Sequence, residues 1–276
     1  MSSRRRFMPL ALAALGFCSL LRAQQGGREH VVAISEDGPF MQLAQAIPDH
    51  FGWDISYEEP PWESQRDVAP YPGGRSGKNG RLLIQRGKAF TLRFQEPGDL
   101  TDASTRRAVI DSVLKQFFGA GNSPFFQARH DGAYTHIVPG AYVGSDAKIV
   151  EFQPLLDTRI SIPRGKRTVG ETVSLVLAAV SRARSANIVM ATIPMNAFYS
   201  SIDSVIFSEG NNERARDIMI RAFEDQNGAR MMSMGLQIKF SWILSYEPTA
   251  KTYYFNCRVR SGPRQVSRPA WGNQVP

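Results

Sequence analysis

Cysteine is almost missing from this chain of 276 residues, with Cys18 and Cys257 as the only two, and Cys18 falls inside an N-terminal segment built like a cleavable export signal. With that segment removed the remaining thiol has no intramolecular partner, which excludes an internal disulfide even in an oxidising compartment. Histidine is scarce too: His30, His50, His130 and His136 are the four copies, and no HxxxH, HExxH or CxxC spacing occurs. The usual sequence signatures of a zinc site are therefore missing. There is no GxSxG elbow, and neither Ser35 nor Ser200-Ser201 has a readable histidine and carboxylate partner. Past the N-terminus no apolar run approaches the roughly 20 residues of a membrane-crossing helix. No cofactor or metal is expected.

What is present begins with the export signal. Arg4, Arg5 and Arg6 precede the apolar run 8–21, and Leu21-Arg22-Ala23 puts small or apolar residues where a signal peptidase reads. Cleavage is predicted after Ala23, giving a periplasmic or extracellular chain with no transmembrane span. Phe17, directly before Cys18, is too bulky for a lipoprotein site. Removing residues 1–23 deletes four arginines and no acid, so the formal net charge falls from +8 to +4. A nucleic-acid binder would show a clustered basic face with stacking aromatics, and none is expected here. An envelope protein or anionic polymer is the partner class left open.

The chain also nearly repeats itself. Phe51-Gly52-Trp53-Asp54-Ile55-Ser56-Tyr57-Glu58 returns as Phe240-Ser241-Trp242-Ile243-Leu244-Ser245-Tyr246-Glu247, identical at five of eight positions. Each copy follows a helical pattern and ends at a proline turn, Glu59-Pro60 or Glu247-Pro248.

Periodicity extends the pattern to the whole chain. In the first half, 31–34 reads as a strand, and Phe40, Leu43, Ala44 and Ile47 stripe a helix that Pro48 should end early. Trp53, Ile55 and Tyr57 alternate as in a half-buried strand. Residues 60–80 carry four prolines and four glycines and read as a mobile insertion. Strands at 82–85 and 89–94 follow, then a helix over 101–118 capped at Thr101 or Asp102, and a hairpin about Asp131-Gly132. The second half has a strand at 155–162, a capping box from Thr168 and Glu171, and a helix striped by Val173, Val176, Leu177 and Val180. Strands at 188–193 and 201–207 lead to a helix capped at Asn211 or Asn212, with Ala215, Ile218, Met219, Ala222 and Phe223 on one face and Asn227-Gly228 closing it. A last hairpin should set Leu244 opposite Tyr253, Trp242 opposite Phe255 and Phe240 opposite Cys257.

The expected fold is α+β, as two helix-on-sheet sandwiches of order β-α-β-β-α-β-β with mostly antiparallel sheets. The expected boundaries are a signal at 1–23, a first domain at 29–139, a connector at 140–154, a second domain at 155–260 and a disordered tail at 261–276.

Few residues offer chemistry. Glu58, Glu59 and Glu63 lie beside Trp62 at the mouth of the long insertion, the residue types that grip and cleave a sugar; acids at strand ends are more often solvated turn residues. Arg164, Lys166, Arg167, Arg182 and Arg184, with Arg159, surround the second half's first helix and are a candidate anion surface if they share one face. On the Asp131-Gly132 hairpin His130 and His136 should point to opposite sides of the sheet. Cys257, on an apolar strand face, reads as a small buried hydrophobe. Gly73-Gly74-Arg75-Ser76-Gly77-Lys78 has the composition of a phosphate loop without its spacing or flanking elements.

Residues 40–57, and more loosely 215–246, resemble the small periplasmic β-α-β domains of secretins and the short N-terminal domain of TonB-dependent receptors, in which a helix leads into a strand beginning glycine-aromatic. The strings Trp53-Asp54-Ile55-Ser56-Tyr57-Glu58 and Leu155-Leu156-Asp157-Thr158-Arg159-Ile160-Ser161-Ile162-Pro163 are similar to parts of an exported bacterial family of unassigned activity. The secretin pore domain and the receptor barrel have no counterpart, so neither function carries over. The expectation is an exported, non-catalytic protein-interaction module, with an exported hydrolase or glycan-binding protein as the alternative and a polyanion binder as a third reading.

Overall fold

Trp53, Ile55 and Tyr57 alternate with Asp54, Ser56 and Glu58, a pattern that ordinarily leaves one strand face in water; here both faces are buried. The reason is visible in the computed structural model, which describes residues 29–70, 83–96, 99, 102–192, 205–234 and 238–261. Residues 1–23, read above as an export signal, together with Gly73 to Lys78, Ser200-Ser201 and the tail past Ser261, lie outside the described residues.

The first half comprises β1 (Glu29–Ile34), α1 (Pro39–Phe51), β2 (Asp54–Glu58), β3 (Val68–Pro70), β4 (Leu83–Gln85), β5 (Phe90–Gln95), α2 (Ala103–Gly119), β6 (Phe126–Asp131) and β7 (Tyr134–Pro139). A small hairpin, β8 (Ala141–Val143) and β9 (Ile149–Glu151), and a 3-10 turn (Leu155–Asp157) lead onward. The second half is β10 (Arg159–Thr168), α3 (Val169–Arg184), β11 (Asn187–Thr192), β12 (Val205–Arg214), α4 (Ala215–Met234), β13 (Ile238–Glu247) and β14 (Thr252–Ser261). The class is α+β.

Local chemistry explains most boundaries. Gly38 adopts φ 64 and Pro39 opens α1, whose missing N–H would be unpaired there anyway. Contrary to the early stop expected at Pro48, α1 continues to Phe51: the proline falls in the last turn, and Gly52 (φ 68) closes it with an N–H donated 2.8 Å to the Pro48 carbonyl. Asp102 caps α2, accepting from the Thr105 N–H at 2.7 Å. Thr168 and Glu171 form the expected capping box on α3, at 2.7 and 3.1 Å. Asn211 and Asn212 do not cap α4; they belong to β12, and the helix begins at Ala215 and runs through residues 227–228 to Met234. Residues 155–157 form a turn instead of the start of a strand. Part of the expected mobile insertion is packed: Trp62 is buried, and β3 pairs with β4.

The two halves share one six-stranded sheet of order β11-β14-β13-β2-β7-β6. This differs from two separate, mostly antiparallel sandwiches. Within it β11 runs parallel to β14 and β14 antiparallel to β13; in the other half β2 runs parallel to β7 and β7 antiparallel to β6. So β2 corresponds to β11, β7 to β14 and β6 to β13. Each half adds a two-stranded antiparallel ribbon, β1 with β5 and β10 with β12. The recurring octapeptide does not follow this correspondence: its copies lie on β2 and β13, which are neighbours, paired in parallel at Ile243–Tyr57 and Leu244–Glu58.

The helical layers lie on opposite faces of the sheet. Phe240, Trp242 and Leu244 of β13 enter the core beneath α3 and α4, whereas Ile243 between them enters the core beneath α1 and α2 with Trp53, Ile55 and Tyr57. This explains why β2 and β7 are buried throughout.

The last hairpin keeps its expected apolar face, and both hairpins shift register by two residues. Leu244 faces Phe255, Trp242 faces Cys257 and Phe240 faces Val259. Glu247 stays in the ladder, and its carboxylate accepts from the Thr249 and Ala250 N–H groups at 3.1 and 2.5 Å, which pins the turn one step later. In the β6–β7 hairpin Asp131 pairs with Tyr134, so Gly132-Ala133 makes the turn.

Candidate functional site

The richest concentration of ionisable groups lies where the halves meet. Glu58 ends β2, Asp157 closes the 3-10 turn, Arg129 projects from β6, and Arg216 stands in the first turn of α4. Arg216 Nη2 donates to Glu58 Oε1 at 2.6 Å and lies 3.0 Å from Asp157 Oδ1, and Arg129 pairs with the other Asp157 oxygen. The Leu156 N–H donates to Glu58 Oε2 at 3.3 Å. Burial raises the Glu58 carboxyl above its ordinary range, against the opposing pull of Arg216. Arg216 is 0% exposed and Glu58 1%, so no substrate reaches them. Beside them His136 stacks 5.2 Å from Trp242, and burial, reinforced by Arg216, Arg214 and Arg129, holds its basicity well below normal. It is a neutral core ring. His130 lies on the opposite strand face, as expected from the hairpin, with Nδ1 3.1 Å from Thr135 Oγ1.

Glu59 follows a different path. Its carboxylate accepts from the Tyr246 N–H at 2.7 Å and the Tyr57 hydroxyl at 3.1 Å. The Trp62 indole lies near the same group without completing a hydrogen bond. Burial dominates these donors and pushes the Glu59 carboxyl up to about 7. Glu59 lines a pocket of about 350 Å³ with Met41, Ile84, Tyr246, Glu247 and Tyr254. Trp62 lines another cleft, of about 700 Å³, with Glu36, Arg66, Asp67, Arg86 and Lys88. Glu63 is exposed and accepts from the Tyr142 hydroxyl at 3.3 Å.

The four residues of the sugar-gripping reading do not converge on one open site, although the Trp62 indole lies near Glu59. Glu58 is in an ion cluster, Glu59 in one pocket, Trp62 beside another, and Glu63 in solvent. The basic residues also divide. Arg164 lies 4.6 Å over the Phe207 ring, with Lys166 paired across the ribbon from Phe207. Arg167 turns inward to the Ser208 carbonyl at 3.3 Å. Exposed Arg182, and Arg184 bonded to Gln153 at 3.0 Å, sit in the last turn of α3, roughly 20 Å along the helix. They do not form one face. Cys257 is buried, and its thiol is pushed up to about 12 by that burial.

Sequence reasoning missed Arg216, Asp157 and Arg129. A signal for the first existed: Arg216, Met219 and Phe223 are spaced i, i+3, i+7, which puts a guanidinium on the buried side of α4 and calls for an acid opposite. No protein family, curated protein or solved structure matches the chain. Among the described residues no helix is long and apolar enough to cross a membrane.

Proposed function

We propose that this chain is an exported, non-catalytic protein-interaction module of the bacterial envelope, and that it engages another envelope protein by strand addition at β11. One comparison carries this reading. The face of β2 turned away from its own helices is closed over by the other half, leaving Asp54, Ser56 and Glu58 between 1% and 7% exposed. The corresponding face of β11 carries Val189, 42% exposed, while Ile188 and Met190 pack into the core. Among the described residues the outer edge of β11 pairs with no strand. Unpaired edge N–H and C=O groups next to exposed apolar side chains are the features that β-augmentation uses.

Export rests on the arginine-led N-terminal segment, and the repeated strand-helix-strand order is in keeping with the resemblance to small periplasmic domains. Burial of Glu58 in its ion cluster and the dispersal of Glu59, Trp62 and Glu63 support a non-catalytic reading over a glycan hydrolase. The test is a photo-crosslinking side chain at position 189 in the mature chain, expressed in its own envelope. A discrete protein adduct is expected, lost on Ala191→Pro, an exposed position that the β14 ladder passes over, with the circular dichroism spectrum unchanged. Adducts that form equally with the proline variant would sink the edge reading.

A further inference from the structure

From the pocket beside Glu59 we infer that this protein has a binding site for a small organic ammonium with an apolar body. The site is independent of the β11 edge reading. It lies on the face of β13 and β14 opposite α3 and α4, where Tyr254 and Asn256 alternate with the buried Tyr253, Phe255 and Cys257, and it is walled by Met41 of α1 and Ile84 of β4. Its volume of about 350 Å³ is in the range of small-molecule pockets.

The lining chemistry selects the ligand. Two carboxylates, Glu59 and Glu247, belong to the wall, and among the described residues no lysine, arginine or histidine does. A cation entering this space meets negative charge without a competing internal counter-ion. An anion meets only repulsion. Glu59 is held by two donors, the Tyr246 N–H and the Tyr57 hydroxyl, one on each oxygen, so its position is fixed while each oxygen keeps a further lone pair for an incoming N–H. Tyr254 supplies ring surface of the kind that attracts ammonium groups, and Met41 and Ile84 supply the apolar contact for the rest of the molecule. The low-dielectric wall strengthens a charge-assisted hydrogen bond relative to one in water.

The probe set is 2-phenylethylammonium, with 2-phenylethanol and 3-phenylpropionate as neutral and anionic counterparts, titrated calorimetrically into the mature chain at pH 7 in two buffers of different ionisation heat. The ammonium is expected to bind at least about tenfold more tightly than the alcohol, and the carboxylate not at all. Binding is expected to release protons, because Glu59 is partly protonated near neutrality and becomes ionised beside the cation. Glu59→Gln keeps the side-chain volume and should remove both the preference and the proton release. Ala191→Phe, at an exposed lining position, should block binding without changing the unfolding temperature. Equal affinity for ammonium and alcohol, binding of the carboxylate, or ammonium binding that survives both substitutions would each overturn the inference.

Discussion

Arg216 and Glu58 lie 158 positions apart in the chain and meet at 2.6 Å, Nη2 to Oε1, with the two side chains 0% and 1% exposed. The contact joins the first turn of α4 to the end of β2, so one buried ion pair bridges the two halves. A buried pair of this kind is costly to break, because removing one partner leaves the other charged and dry.

Arg216→Met should therefore destabilise the protein by roughly 3–5 kcal/mol, since it strands Glu58 and leaves Asp157 with Arg129 as its remaining cation. The double variant Arg216→Met with Glu58→Gln should recover part of that loss. Urea unfolding of the wild type, both single variants and the double variant gives the coupling energy; a value near zero would mean that the pair does not bridge the halves energetically.

Stability should depend on pH through Glu59. Its carboxyl rises from an ordinary 4.5 in the unfolded chain to about 7 in the folded protein, so the folded state holds the proton more tightly. The associated stabilisation is fully present below pH 4.5 and is lost as pH rises through about 7. Its size is on the order of 3 kcal/mol. Unfolding free energies at pH 5 and pH 8 should differ by this amount more in the wild type than in Glu59→Gln, which cannot titrate there.

The Cys257 thiol should be inert in the native state. It is 8% exposed, and burial pushes its ionisation up to about 12. A chromogenic disulfide reagent at pH 8 should label Cys257 only after urea is added, since the thiolate is the reactive form. Rapid stoichiometric labelling without denaturant would contradict the packing of β13 against β14.

Thr168 and Asn211 make an internal control. Thr168→Ala should cost about 1 kcal/mol, because the hydroxyl accepts from the Glu171 N–H at 3.1 Å at the start of α3. Asn211→Ala should cost only a few tenths, since Asn211 lies in β12 and caps no helix. Chemical denaturation of the two variants side by side separates them.

These two sites also show which features a single sequence exposes. Local signals were legible: the Thr168–Glu171 box and the stripes of α1 and α3 rest on spacings of three or four residues, and the apolar face of the last hairpin rests on alternation. Registers slipped by two because alternation identifies a face but not the last paired residue; Glu247 remained in its ladder through bonds to Thr249 and Ala250. The junction between β2 and β13 was not legible at all. Only two residue pairs define it, backed by polar contacts such as the Trp242 N–H to Ser56 Oγ at 3.2 Å. For the same reason Asp54, Ser56 and Glu58 carried the pattern of a solvent face, although distant residues cover them. Glu58 and Glu59 stood out as acids beside an indole, but their burial and separation depend on α4 and on Tyr246, which no local pattern links to them.

The placement of the helical layers on opposite sides of one sheet has a practical consequence for dissecting the molecule. A gene cut within 140–154 would encode two fragments, each missing the roof over one of its own seam strands, β2 in one and β13 in the other. Neither should be soluble by itself, yet the pair made together should reassemble, which makes this chain a natural scaffold for a split reporter.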